Sequence, residues 1–254
     1  MKIRFAACCI LFTLLSACRS DSSNEVFRLL ITFEHHWNES QINRNGLSAF
    51  VFRNAANELL SIERLRYLLS AIAIEMKDDS RLVLKAYHLV DITREESLQI
   101  AFETFVSPDQ IKGISFVFGL PPEANRDGVY PDLNAVLWNV PTALGGGYHF
   151  MQLDGKFKVP NQANAIGFNF HAIQAVDNTP VGAAVFYDTF FSVSKDFNTS
   201  MFEQQVAVRM NVAEWFVNPH LWRLEEAHTM LMPDFEAQKR IAENGKSVFS
   251  MSIQ

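Results

Sequence analysis

Apolar and polar residues alternate with a period of two through most of the first two thirds of the chain. In the run Val26–Trp37, Phe27, Leu29, Ile31, Phe33, His35 and Trp37 share one face, and Arg28, Thr32, Glu34 and His36 share the other. That period belongs to a half-buried strand, whose successive side chains point to opposite faces. It predicts His35 inward and His36 outward. Leu82, Leu84, Ala86, His88 and Val90 form a second such face. Ile114–Leu120 is apolar on both faces, which suits a central strand, and it is closed by Pro121-Pro122. Residues 147–157 and 165–176 read as neighbouring strands joined by a polar turn, and 202–212 as a late strand carrying Val206, Val208, Met210 and Val212 on one face.

The tail has helical spacing over 219–232 and 233–245, each stretch with a proline at or near its start, before a last strand-like run. The stretch 61–76 is ambiguous, helical in its first half and strand-like in its second. Together these patterns predict an all-β fold, an antiparallel immunoglobulin-like β-sandwich with long loops and a short helical C-terminal addition.

The N-terminus carries a different message. Lys2 and Arg4 precede an apolar run from Phe5 to Leu15, too short for a bilayer span. The sequence Leu15-Ser16-Ala17-Cys18 resembles a bacterial lipobox. The expected organisation is a lipoprotein signal peptide at 1–17, a polar tether at 18–25 and one domain at 26–254, with Cys18 lipidated. Cys8 and Cys9 lie inside the signal, so Cys18 is the last cysteine. The mature domain then has no disulfide, thiolate metal site or cysteine nucleophile. Cleavage removes two basic and no acidic residues, taking the net charge from −6 to −8. An acidic chain is a poor partner for nucleic acid.

Seven histidines are present, at 35, 36, 88, 149, 171, 220 and 228, with no HxH or HExxH pair. Any metal site must therefore be assembled from separate strands, and each histidine taken singly reads first as a packed or hydrogen-bonded residue. His88 reads as core, and His220 and His228 as tail residues. In Leu144–Phe150 three glycines lead into a strand beside His149. They form either a loop folded over a site or a tight turn. The acidic stretch holding Glu123, Asp127, Asp132 and Asn134 fits no calcium loop. Neither a GxSxG elbow nor a close carboxylate pair is present, so catalysis is not expected.

Several stretches in order resemble the MbnP-like family, the methanobactin-partner proteins: Phe33–Asn38, Asn54–Ile74, Tyr87–Asp91, Ile114–Asn125, Leu137–Phe157, Asn169–Gln174 and Glu243–Met251. The resemblance implies a secreted copper-binding protein. Its copper is held by histidines and by a tryptophan oxidised to kynurenine by a partner dihaem cytochrome c peroxidase-like protein. Carried over by position, it implies His35 and His171 as ligands, with His36 and His149 as substitutes and Trp138 as the modified residue. Val140 stands where the family has a second tryptophan, and Pro141–Gly146 is an insertion. The expectation is a copper-binding lipoprotein, anchored to a bacterial membrane, most naturally the outer one, and facing the periplasm or the cell surface. The alternatives are a structural or interaction lipoprotein without metal, and a metal-assisted hydrolase using the same histidines.

Overall fold

The computed structural model describes residues 25–160, 162–179 and 183–254. The export signal, Cys18 and nearly all of the tether lie outside the described residues. In chain order the strands are β1 (Phe27–Trp37), β2 (Ser40–Ile42), β3 (Phe52–Arg53), β4 (Leu59–Met76), β5 (Arg81–Asp91), β6 (Gln99–Thr104), β7 (Ile111–Phe118), β8 (Met151–Lys158), β9 (Ile166–Ala172), β10 (Ala175–Asp177), β11 (Val185–Tyr187), β12 (Phe191–Asp196), β13 (Glu203–Asn211) and β14 (Phe249–Ile253). The helices are α1 (Pro131–Ala135) and α2 (Phe235–Gly245).

The smaller sheet runs β14-β13-β1-β2, with β6 also paired to β1. The larger runs β12-β7-β4-β8-β9, with β3 and β5 on the other edge of β4. Strand pairing is antiparallel except between β1 and β13, which run parallel in the register His35 opposite Met210. The two sheets face each other across an aromatic core. Tyr67 and Phe116 of the larger sheet meet Phe249 of the smaller one, with ring centroids 5.9 and 5.4 Å apart. The result is the all-β sandwich that the alternation predicts.

β4 is the spine of the larger sheet. Its 18 residues pair along one edge first with β8 and then with β7, and along the other with β3 and then β5. A bulge near Ile72, where Ala71 takes φ 49°, re-aims the strand between its partners. The helical half-reading of this segment fails: Glu63 and Arg64 stay exposed on β4, but from 67 to 74 nearly every residue is buried, whichever face it occupies. Leu65, Tyr67 and Leu69 are buried, and so is Leu68 of the opposite face. A strand buried on both sides loses the alternation by which it would be recognised.

The helix expected over 219–232 does not form. Trp222, Leu224 and Leu231 are buried one by one in an irregular segment. The backbone N–H groups of Leu224 and Glu225 go instead to the carboxylate of Glu58, at 2.9 and 2.7 Å. That carboxylate is 2 % exposed and also accepts from Asn54 Nδ2 at 2.6 Å. The second predicted helix is present as α2, capped by the Asp234 side chain on Ala237 N. The long loop 121–134 carries the single turn of α1.

Candidate metal centre on the outer face of the larger sheet

Strand alternation decides which histidines can meet. Tyr67 points into the core, so Arg66 points outward. Arg66 is opposite Gln152 on β8, and Gln152 is opposite His171 on β9. These three form one cross-strand row on the outer face. The next row holds Arg64, Asp154 and Asn169.

Residues 138–149 form a hairpin that closes over these rows. Asn139 and Tyr148 are bridged, Val140 N donates to Gly147 O at 2.9 Å, and His149 N donates to Trp138 O at 3.0 Å. Trp138 and His149 are thus the two ends of one hairpin. Its return is made by Gly145, Gly146 and Gly147, all at positive φ. A side chain at Gly146 or Gly147 would strike Asp127 or Asn125. Those two residues receive Gly147 N and Tyr148 N.

The hairpin brings Trp138, His149 and His171 together. The rings of His149 and His171 lie 5.4 Å apart, edge to face, and Trp138 is 5.7 Å from His149. The Arg66 guanidinium stacks over the Trp138 ring at 4.9 Å and bonds to Gln152. Each imidazole is tied at one nitrogen. His149 Nδ1 donates to the Trp138 carbonyl at 3.0 Å, which leaves Nε2 with the lone pair. His171 Nε2 donates to Asp154 Oδ1 at 2.7 Å, and its Nδ1 is buried without a hydrogen-bond partner. Burial pushes the His149 pKa down to about 4, with the charges of His171 and Arg66 acting the same way and the Trp138 carbonyl opposing. Burial tends to raise Asp154, but hydrogen bonds from His171 and Asn169 and the Arg64 charge outweigh it, and its pKa is lowered. A neutral histidine beside a histidine hydrogen-bonded to an ionised carboxylate is the donor chemistry of a metal site.

The remaining sequence candidates lie elsewhere. His35 is on β1 and faces the core from the smaller sheet, with Nε2 3.1 Å from Tyr67 Oη. It is therefore on the far side of the larger sheet from His171, and the two do not form a common site. His36 does point to the other face, as its position predicts, yet it is buried beside Glu34 at 3.4 Å. His88 stacks on Phe33 and bonds to Ser97 O. Trp138 is 0 % exposed, enclosed between the hairpin and the outer row of the sheet. Among the described residues, no group of three or more His, Cys, Asp or Glu side chains is placed to hold a metal ion. Sequence reasoning missed Arg66, Gln152 and Asp154. Their signal is the strand alternation combined with a pairing register that the sequence does not state.

The MbnP family model matches residues 28–233. The chain belongs to the MbnP family. The solved structure of MbnP from Methylosinus trichosporium is similar in fold, with a TM-score of 0.55 over 90 % of this chain and 99 % of that one. Identity between the two is 10 %, so this likeness concerns the fold alone. No curated protein sequence matches. The stretch carrying Trp138, His149 and His171 lies inside the region matched by the MbnP model.

Proposed function

We propose that this MbnP-type protein is an envelope lipoprotein that binds copper through His149 and His171, for acquisition or storage of the metal. The observation that supports it most is the buried, unpartnered Nδ1 of His171, whose other nitrogen is held by Asp154. A buried polar atom without a partner is a site that something else satisfies. Imidazole nitrogens suit copper, which is bound readily by nitrogen ligands. Bound there, copper would supply a one-electron redox couple or simply a stored ion. Asp154 orients His171, the Trp138 carbonyl orients His149, and the hairpin excludes water from both.

Trp138 is the residue the family resemblance assigns to oxidation, by a dihaem cytochrome c peroxidase-like partner. Its buried ring requires that such a partner withdraw electrons at a distance, or that the hairpin open. Cys18 supplies the anchor in this reading, to a bacterial membrane and most naturally the outer one. The competing reading is an interaction lipoprotein without metal. It is favoured by the single satisfied nitrogen that each ring already has, as in a packed histidine.

Metal analysis of protein purified after exposure to Cu(I) and to Cu(II) separates the two. Stoichiometric copper in wild type, lost in His149→Ala and in His171→Ala, supports the site. No uptake in either oxidation state ends the copper reading. Peptide mass spectrometry on protein from its native host decides the state of Trp138. An unmodified residue in copper-loaded protein removes the kynurenine and leaves the histidine pair standing.

A further inference from the structure

Three tyrosines from separate parts of the chain form a ladder of rings. Tyr87 on β5 lies 4.5 Å from Tyr130, centroid to centroid, and Tyr130 lies 5.3 Å from Tyr148. Tyr148 is fully buried at the inner end. It adjoins His149, whose N–H bonds the Trp138 carbonyl and whose ring is 5.7 Å from the indole. Tyr87 is half-buried at the outer end. It lines an open cleft beside β5 and α1, and its phenol donates to Asp132 Oδ1 at 2.5 Å.

We infer that this ladder is a one-electron conduit that drains oxidising equivalents from Trp138 to the surface at Tyr87. The inference goes beyond copper binding and does not depend on it. The direction follows from the partners at each end. At Trp138 the Arg66 guanidinium lies 4.9 Å from the ring, and a second positive charge on the indole is disfavoured beside it. The indole Nε1 has no hydrogen-bond partner, so an oxidised ring has no acceptor for its proton. Tyr148 donates to the amide oxygen of Asn134 at 2.9 Å, which is a poor base. Tyr87 has a carboxylate, which takes the phenolic proton as the electron leaves. Until that moment the phenol is held protonated, its pKa pushed up to about 12 by burial and by Asp132.

The step balances. One electron passes from Tyr87 through Tyr130 and Tyr148 to the indole radical cation of Trp138. One proton passes from the Tyr87 phenol to Asp132. The products are neutral Trp138, a neutral tyrosyl radical and a protonated carboxyl. The hole is created by a one-electron oxidant such as a peroxide-derived radical. A solvent thiol or enediol returns the electron at the cleft, and Asp132 returns the proton.

Laser photoionisation of the metal-free protein tests this. Excitation at the red edge of the indole band avoids the phenols. In wild type, part of the indolyl absorption should convert to tyrosyl absorption. That part should vanish in Trp138→Phe and slow severalfold in Tyr130→Phe. In Tyr87→Phe the yield of long-lived tyrosyl radical should fall severalfold. Conversion at the wild-type rate in Tyr130→Phe, or none in wild type, overturns the conduit. If Trp138→Phe does not fold, the two tyrosine variants decide the matter, because phenylalanine keeps the ring packing. Copper is absent throughout, so failure here is distinct from failure of the copper site.

Discussion

His171 donates its Nε2 proton to Asp154 across a 2.7 Å hydrogen bond between strands β9 and β8, while its Nδ1 is buried with no partner. Asp154 is itself held by Asn169 at 2.7 Å and by Arg64 at 3.2 Å. This arrangement fixes the tautomer that leaves a lone pair on Nδ1.

Asp154→Asn therefore weakens copper binding without removing either imidazole. The expected loss of affinity is about 10–100-fold, the usual effect of removing a carboxylate that orients a ligating histidine. Competition titration against a chelator of known affinity measures it. An unchanged affinity would show that His171 is held by its packing and not by the carboxylate.

His35 should behave as a core residue. His35→Ala removes the partner of Tyr67 and leaves a void, which is expected to cost about 2–4 kcal/mol in chemical denaturation. Its copper content should equal that of wild type. Loss of metal with unchanged stability would return His35 to the list of ligands.

Acid should expose the same residue. Burial, reinforced by the neighbouring His36 charge, lowers the His35 pKa from 6.5 to about 4. Between these values the unfolded chain takes up a proton that the folded chain refuses. Its contribution is complete above pH 6.5, is lost as pH falls to about 4, and is flat below. For one histidine the loss is on the order of 3 kcal/mol. Denaturation of wild type and His35→Gln at several pH values reads the difference. The variant should show a shallower fall across this window, and parallel curves would reject the assignment.

Glu58 anchors the irregular segment that replaces a helix. Glu58→Ala strands the N–H groups of Leu224 and Glu225 and the amide of Asn54. Each buried orphan costs about 1–3 kcal/mol, so a clear drop in the thermal midpoint is expected. Glu58→Gln should recover part of it. Hydrogen exchange at Leu224 and Glu225 should quicken before the rest of the fold opens.

The anchor is tested by fractionation. With two or more acyl chains on Cys18, membrane association is stable, each buried CH₂ contributing about 0.8 kcal/mol. Cys18→Ser should move the protein to the soluble or the unprocessed fraction. Identical fractionation of the two proteins would discard the lipoprotein assignment.

The alternation in Phe27–Trp37 was enough to place His35 inward and to mark β1 as a core strand, because side-chain direction in a strand depends on the local backbone alone. The same local rule found β5, β8, β9 and β13, whereas β7 follows from an unbroken apolar run, β14 from a last strand-like run, and α2 from helical spacing after Pro233. It failed on β4 and on 219–232, where burial is set by distant neighbours. β4 is covered on both faces over 67–74, and the donors of Leu224 and Glu225 are met by a carboxylate 166 and 167 residues away in the chain.

The ordered motifs of the sequence determined the family and the sandwich, along with the identity of every histidine and tryptophan available to a site. Which of them meet was decided only by tertiary structure. A position's parity along its strand is local, but its neighbours depend on the register of β4 against β8 and of β8 against β9. Those registers put Arg66, Gln152 and His171 in one outer row, and the 138–149 hairpin then lowers Trp138 and His149 onto it. His35 carries the same imidazole as His171, yet lies beyond the sheet, because pairing across strands is a long-range contact that no local pattern encodes.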